Sequence, residues 1–268
     1  MAQPVGTLRP QPVQYNPFDS PLARQASRYA GYDNRSLQSA ENDEAPAPIL
    51  EFIHDAFRAH VLSAQFPCVG AKSAVQKGSY RIGHYGQMGS TAATAGLAFD
   101  LYHFLEEVPS LESEFTTFVA TFSEPIIHSE TDFEQLLWTQ LQMLNQRDAP
   151  LHTWDPLVSN DPANPHFSFS FAEHGFFIVG MHPAASRFAR RFAWPTLIFN
   201  LHHQFEALRQ GGKFERMQSM IRKRDTALQG SINRNLNDFG QRSEARQYSG
   251  KPAEADWRCP FKAEKTDA

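Results

Sequence analysis

The stretch FSFSFAEHGFFIVGM, residues 167–181, decides the fold class. Phe167, Phe169 and Phe171 alternate with Ser168 and Ser170, a two-residue period that sends all the rings to one face of a strand. Glu173-His174-Gly175 supplies a hairpin turn. The returning run, Phe176-Phe177-Ile178-Val179-Gly180-Met181, is apolar on both faces and so predicts a strand covered on both sides within a sheet.

Working outward, the β-branched and aromatic run at 115–122 predicts a second region of sheet, and 79–85 and 194–200 add strands. Helical spacing takes over elsewhere. Ile49, Phe52, Ile53, Ala56, Phe57 and Val61 form one stripe, opened by Pro48 and ending near Gln65, before Pro67. A short helix closed by Gly78 follows, then a stripe of Leu97, Leu101, Phe104 and Leu105 that stops before Pro109. Phe133, Leu137, Leu141 and Leu144 mark a third helix, with Thr131 or Asp132 as its cap. Phe214, Met217, Ile221 and Leu228 mark a fourth. Residues 145–165, punctuated by proline and asparagine, read as loop. Strands and helices mix without strict alternation. The expectation is a single α+β domain over 47–250, a mixed β-sheet containing a hairpin and flanked by helices.

Residues 1–46 are dense in Pro, Gln, Asn, Ser and Asp and read as a poorly ordered or surface-wrapping arm. Residues 251–268 read as a polar tail in which Trp257 and Phe261 can dock. A net charge of -4 over 268 residues offers no basic excess for a dedicated nucleic-acid binder. No apolar run approaches the roughly 20 residues that cross a bilayer. The opening MAQPVGTLRP lacks the basic and apolar regions of a signal peptide. The two cysteines, Cys68 and Cys259, are too few for a disulfide scaffold and lack the paired spacing of a zinc site. A cytoplasmic protein with no membrane and no nucleic-acid partner is expected.

Three constellations carry chemistry, each with a plainer alternative. Cys68 opens a short helix, where the helix dipole and Lys72 favour a thiolate that could act as nucleophile or iron ligand; the alternative is a buried free thiol. His182 leaves the end of the apolar strand into a loop carrying Arg187, Arg190 and Arg191. Arg187 and Arg191 would share one side of a helical turn and could hold a carboxylate; the alternative is a hydrogen-bonded structural histidine beside solvated arginines. In His202-His203-Gln204-Phe205-Glu206, His203 and Glu206 could share a helix face as metal ligands, with His128, Glu130 and Glu134 elsewhere but no second matching pair. The alternative there is a solvated face. Nucleophile elbow, P-loop and dinucleotide fingerprint are all missing, and Gly83, Gly86 and Gly89 have the wrong spacing.

The blocks FPCVGAKSAVQKGSYRIGHYG (66–86), FFIVGMHPAASRFARRFAWPTLIFNLHHQFEALRQGGKFERMQSMIRKRD (176–225), QGSINRNLNDFGQRSEARQYSG (229–250) and WRCPF (257–261) together resemble the YqcI/YcgG-like family over 50–261. That family includes haem-dependent N-oxygenases of small-molecule biosynthesis, which hydroxylate the guanidino nitrogen of arginine or arginine-derived molecules; many members have no assigned role. The resemblance implies haem b and O2 as cofactors, the haem held non-covalently because no CxxCH is present. It implies an axial ligand, for which His182 is the first choice and Cys68 the alternative. Arg187, Arg190 or Arg191 would anchor the propionates, and Phe167, Phe169, Phe171, Phe176 and Phe177 would wall the pocket. An arginine-like cation would ask for a carboxylate from Glu124, Asp100 or Glu130. With no flavin or nicotinamide motif, electrons would come from an external donor such as a ferredoxin. Two rival readings are a haem or small-ligand sensor without turnover, and a haem-free thiol enzyme using Cys68.

Overall fold

The computed structural model describes residues 15–33, 35–39, 46–231, 233, 235 and 240–264. Along the chain these form helix α1 (Pro21–Ala26), strands β1 (Ala30–Tyr32) and β2 (Leu37–Ser39), helices α2 (Pro48–Leu62) and α3 (Val69–Lys77), and strand β3 (Tyr80–Gln87). Helix α4 (Thr91–Glu107), strand β4 (Thr117–Glu124) and helix α5 (Glu130–Asp148) follow, then strands β5 (Phe169–Phe171), β6 (His174–Met181) and β7 (Thr196–Leu201). Helices α6 (His202–Gln210), α7 (Phe214–Gln229) and α8 (Ala245–Tyr248) complete the order. The seven strands make one mixed sheet in the order β2-β1-β3-β4-β7-β6-β5, in which only β3 and β4 run parallel, joined by the crossover helix α4. The α+β class and the hairpin follow the sequence expectation.

Strand pleating divides the core into two layers. Phe118, Ala120 and Phe122 of β4, with Phe176 and Ile178 of β6, face α4 and α5. Val119 and Met181 face the opposite layer, with Ile53, Phe57 and Val61 of α2 and Val75 of α3. Period-two burial on both faces is why β6 reads as a continuous apolar run.

Local chemistry moves several boundaries. The hairpin turn falls on Ala172 and Glu173, both at positive φ (47° and 64°), and Phe171 pairs with His174. It therefore comes one residue earlier than Glu173-His174-Gly175, because Gly175 is already in the ladder opposite Ser170. Helix α2 stops at Leu62 and not near Gln65, since Ser63 turns extended and the Lys72 ammonium takes the carbonyls of Ser63 (2.6 Å) and Ala64 (3.3 Å). Ser129, not Thr131 or Asp132, caps α5, its hydroxyl accepting from the Asp132 amide at 3.1 Å. Gly78 closes α3 in the left-handed conformation as expected.

The largest difference lies in the N-terminal segment. Its described part is not an arm: α1 packs on α4, and β1 pairs with β3 through Ala30↔Ile82 and Gly31↔Arg81, so two short strands extend the sheet. The Asp100 carboxylate accepts from the Ser27 hydroxyl and from the Arg28 amide (2.8 Å). Gly96 lets the two helices touch, for a Cβ there would sit 2.4 Å from the Ala26 carbonyl oxygen. At the other end, Phe261 is buried against Trp138, Trp154, Phe167 and Phe169, and Trp257 packs beside it. Among the described residues no helix is long and apolar enough to cross a membrane.

Candidate functional site

His182 begins the loop that joins β6 to β7. Its position after Met181 turns the ring toward α5, where it lies on Phe133 at 4.2 Å between centroids and 23° between planes. The loop is closed by backbone hydrogen bonds: His182 N–H donates to the Arg190 carbonyl (3.0 Å), and the His182 carbonyl accepts from Ala185 (3.2 Å) and Phe192 (3.3 Å). The side chain is fully buried, yet neither ring nitrogen has a hydrogen-bond partner among the described residues. Burial lowers the imidazole pKa to about 4, with Glu130 pulling it up and Arg190 pulling it down, so the ring is neutral near pH 7. An unsatisfied buried polar group costs roughly 1–3 kcal/mol and calls for an explanation. Among the described residues His182 is therefore not a hydrogen-bonded structural histidine; its neutral ring has a nitrogen lone pair that none of them uses.

The arginines of the loop do not share a helical face. Only Phe188–Arg190 form a turn of 3-10 helix, and Arg187 and Arg191 flank it in extended conformation. Arg187 pairs with Asp225 and donates to the Ser231 carbonyl (2.9 Å). Arg190 donates to three carbonyls, Gly180 (3.1 Å), Tyr248 (2.9 Å) and Gln247 (2.9 Å), and burial lowers its pKa to about 10. Both guanidinium groups thus brace the loop. Arg191 uses its Nε on the Ala185 carbonyl (3.0 Å) and stacks on Phe188, keeping its terminal nitrogens without an acceptor among the described residues.

Cys68 caps α3, its sulfur accepting from the Ala71 amide at 3.4 Å. Burial pushes the thiol up, and the Ala71 and Gly70 amides and the Arg190 charge only partly oppose it. Lys72 is turned to the carbonyls ending α2. The thiolate expected from the dipole and Lys72 is therefore corrected: desolvation outweighs both. The Arg190 charge acts on both Cys68 and His182, lowering each pKa.

Of the three carboxylates weighed for a cation, Asp100 is fully buried and also accepts from the Tyr85 hydroxyl (2.6 Å), so it closes a structural network. Glu124 ends β4, exposed. Glu130 sits one turn before Phe133 on α5, accepts from the Ser186 amide (2.9 Å) and hydroxyl (2.6 Å), and exerts its charge on His182. Geometry thus brings Glu130, Phe133, His182 and Arg190 together.

The second histidine region differs from its expectation. His202, not His203, approaches Glu206 (3.4 Å), and its Nδ1 meets the Ser168 hydroxyl at 3.0 Å. Among the described residues no three His, Cys, Asp or Glu side chains converge as metal ligands. The same Ser168 hydroxyl donates to Glu244 (2.7 Å), which also accepts from the Tyr248 hydroxyl (2.6 Å). Burial raises the Glu244 pKa to about 8, against the opposing hydrogen bonds of Tyr248 and Ser168. Sequence reasoning missed this network and Phe133. Glu244 and Tyr248 lie one helical turn apart, but nothing local places Ser168 between Glu244 and His202.

A cleft of about 410 Å³ runs along the outer side of the His182 loop, between Phe188 and Ala189 on one wall and His60 and Phe66 on the other. A larger cleft, about 600 Å³, opens between the 162–165 loop and residues 241–246 and 255–259. Neither wall includes His182 or Cys68.

Fold and site together define an α+β protein with a buried, neutral histidine in the loop joining two inner strands of its sheet, its ring nitrogens unpaired among the described residues. The model of the YqcI/YcgG family matches residues 57–262, and the chain belongs to that family. Searches of curated proteins and of solved structures returned no match.

Proposed function

We propose that the chain is a haem-dependent N-oxygenase that hydroxylates a guanidino or amino nitrogen of arginine or an arginine-like small molecule in specialised metabolism. The observation that carries the reading is His182, whose two buried ring nitrogens lack a hydrogen-bond partner among the described residues, in a member of the YqcI/YcgG family. A neutral imidazole is the donor that haem iron takes from histidine, so the donor chemistry fits the group. Bound there, haem would supply oxygen activation.

The chain's own residues have the remaining tasks. Phe133 holds the His182 ring in plane by stacking, and the backbone bonds to Arg190 and Phe192 fix its loop. Arg191, with its free terminal nitrogens, is the propionate anchor that the loop offers; Arg187 and Arg190 support it from protein acceptors. Glu130 is the carboxylate to orient a guanidinium near His182, by a two-pronged hydrogen bond. The thiol-enzyme reading is weakened because burial keeps Cys68 protonated. Electrons would arrive from an external donor such as a ferredoxin.

Oxygen uptake separates turnover from sensing. Haem-loaded protein, supplied with a ferredoxin reducing system, is expected to consume oxygen and reductant in proportion to added arginine or agmatine. Glu130→Gln should raise KM about ten-fold or more while leaving the haem spectrum unchanged, because one charge-assisted contact is lost. Haem binding with uptake indifferent to both compounds would instead favour a sensor.

A further inference from the structure

We propose that the 600 Å³ cleft between the 162–165 loop and residues 241–259 is a second ligand site, for a small organic anion with a flat or apolar body. This inference stands independently of the haem reading. The chain carries a net charge of -4, yet among the described residues the cleft is lined by Arg242, Arg246 and Arg258 and by no Asp or Glu. Three arginines along one cleft, with no carboxylate among its described lining residues, make a local positive potential that the overall charge would not supply. The volume lies within the range of small-molecule sites.

The three arginines divide the work. Arg246 is committed to the scaffold: it donates to the Trp257 carbonyl at 3.0 Å, reaches the Ala253 and Glu254 carbonyls, and lies over the Trp257 ring at 5.3 Å. Trp257 is anchored from below by its indole N–H, which donates to Glu134 at 3.2 Å. The ring is thereby fixed as part of the cleft wall. Arg242 and Arg258 make no hydrogen bond or ion pair among the described residues, and both are exposed at the cleft. They keep their full donor sets for a ligand.

The walls are rigid enough to hold that geometry. Pro162 and Pro165 stand on a loop tied by its own side chains, Asp161 accepting from the Ala163 amide (2.9 Å) and Asn164 from the His166 amide (2.9 Å). On the opposite wall, the residues after Arg242 are held by the buried Glu244 and Tyr248. Prolines and an indole give an apolar slot, and the two open guanidiniums give an anion clamp. A carboxylate and a phosphate monoester share the chemistry that would be recognised.

Calorimetric titration of the full chain with phenyl phosphate, inorganic phosphate and benzyl alcohol tests this. Phenyl phosphate is expected to bind saturably and more tightly than inorganic phosphate, and benzyl alcohol, which lacks the charge, should not bind at the same concentrations. Arg242→Ala with Arg258→Ala should weaken phenyl phosphate about ten-fold or more, whereas Arg216→Ala, an exposed cation on α7, should leave it unchanged. Circular dichroism of the double variant checks that it is folded, and Arg242→Lys with Arg258→Lys gives a charge-retaining variant that should bind with intermediate affinity. Absence of saturable binding in the wild type, or equal affinity in the wild type and the folded double variant, would overturn the proposal.

Discussion

Replacing Glu107 by leucine is expected to lower the unfolding free energy by about 3–5 kcal/mol, measured as a shift in the urea midpoint at constant slope. Arg81 is fully buried on β3, and its guanidinium makes an ion pair with Glu107 on α4, including a 2.8 Å contact from Nε to Oε2. Burial opposes the charge on Arg81, but the hydrogen bond and charge of Glu107, with Tyr29 beside them, outweigh it and hold its pKa above the ordinary value. Taking away the carboxylate leaves that cation in a dry interior with neutral partners, the Gly78 and Tyr80 carbonyls and the Tyr29 hydroxyl, and leaves the Tyr29 hydroxyl without its acceptor. The double change Arg81→Met with Glu107→Leu removes the stranded charge along with its partner, so it should cost much less than the single change. A single variant within about 1 kcal/mol of the wild type would show that the pair is not desolvated as described.

Glu244 predicts a second large effect, one that depends on pH. Its carboxyl titrates near 8 in the folded chain against an ordinary value of 4.5, because burial disfavours the charge more than Ser168 and Tyr248 favour it. Between those two values the native state keeps a proton that the unfolded state releases. The protonated group's contribution is fully present below about pH 4.5, fades as pH rises, and is gone above pH 8. Integrated over that window the loss is at most about 5 kcal/mol. Glu244→Gln should remove this slope, since an amide can still meet the Ser168 and Tyr248 hydroxyls without titrating. Asp148, which burial raises to about 6, titrates in both proteins, so the difference between their pH–stability curves isolates Glu244. Parallel curves would mean that the carboxyl is hydrated and ionised.

Long periodic segments were legible from the sequence because their burial is one-sided or two-sided over many residues. The serine–phenylalanine alternation before β6 and the apolar run of β6 itself are of this kind, as are the stripes of α2, α4 and α5. The strands β1 and β2 were not, since three residues cannot display a period and their place in the sheet depends on Asp100 and Glu107, some 70 residues away, binding Ser27, Arg28 and Tyr29. The site divides in the same way. His182 stood out by its position at the end of a buried strand, a local feature. Which arginine keeps open donors, which carboxylate approaches the imidazole, and whether Cys68 ionises are set by tertiary partners: Asp225 for Arg187, three carbonyls for Arg190, Ser186 for Glu130, and burial for Cys68. Glu244 was invisible because a single glutamate in a polar stretch reads as solvated until the fold buries it under Ser168.

The most direct test is the optical and EPR spectrum of the haem-loaded protein, recorded for the wild type beside His182→Ala and Cys68→Ala. The proposal predicts a histidine-ligated haem signature in the wild type, retained in Cys68→Ala and lost or shifted in His182→Ala alone. Failure of the wild type to take up haem, or an identical spectrum in wild type and His182→Ala, would contradict it.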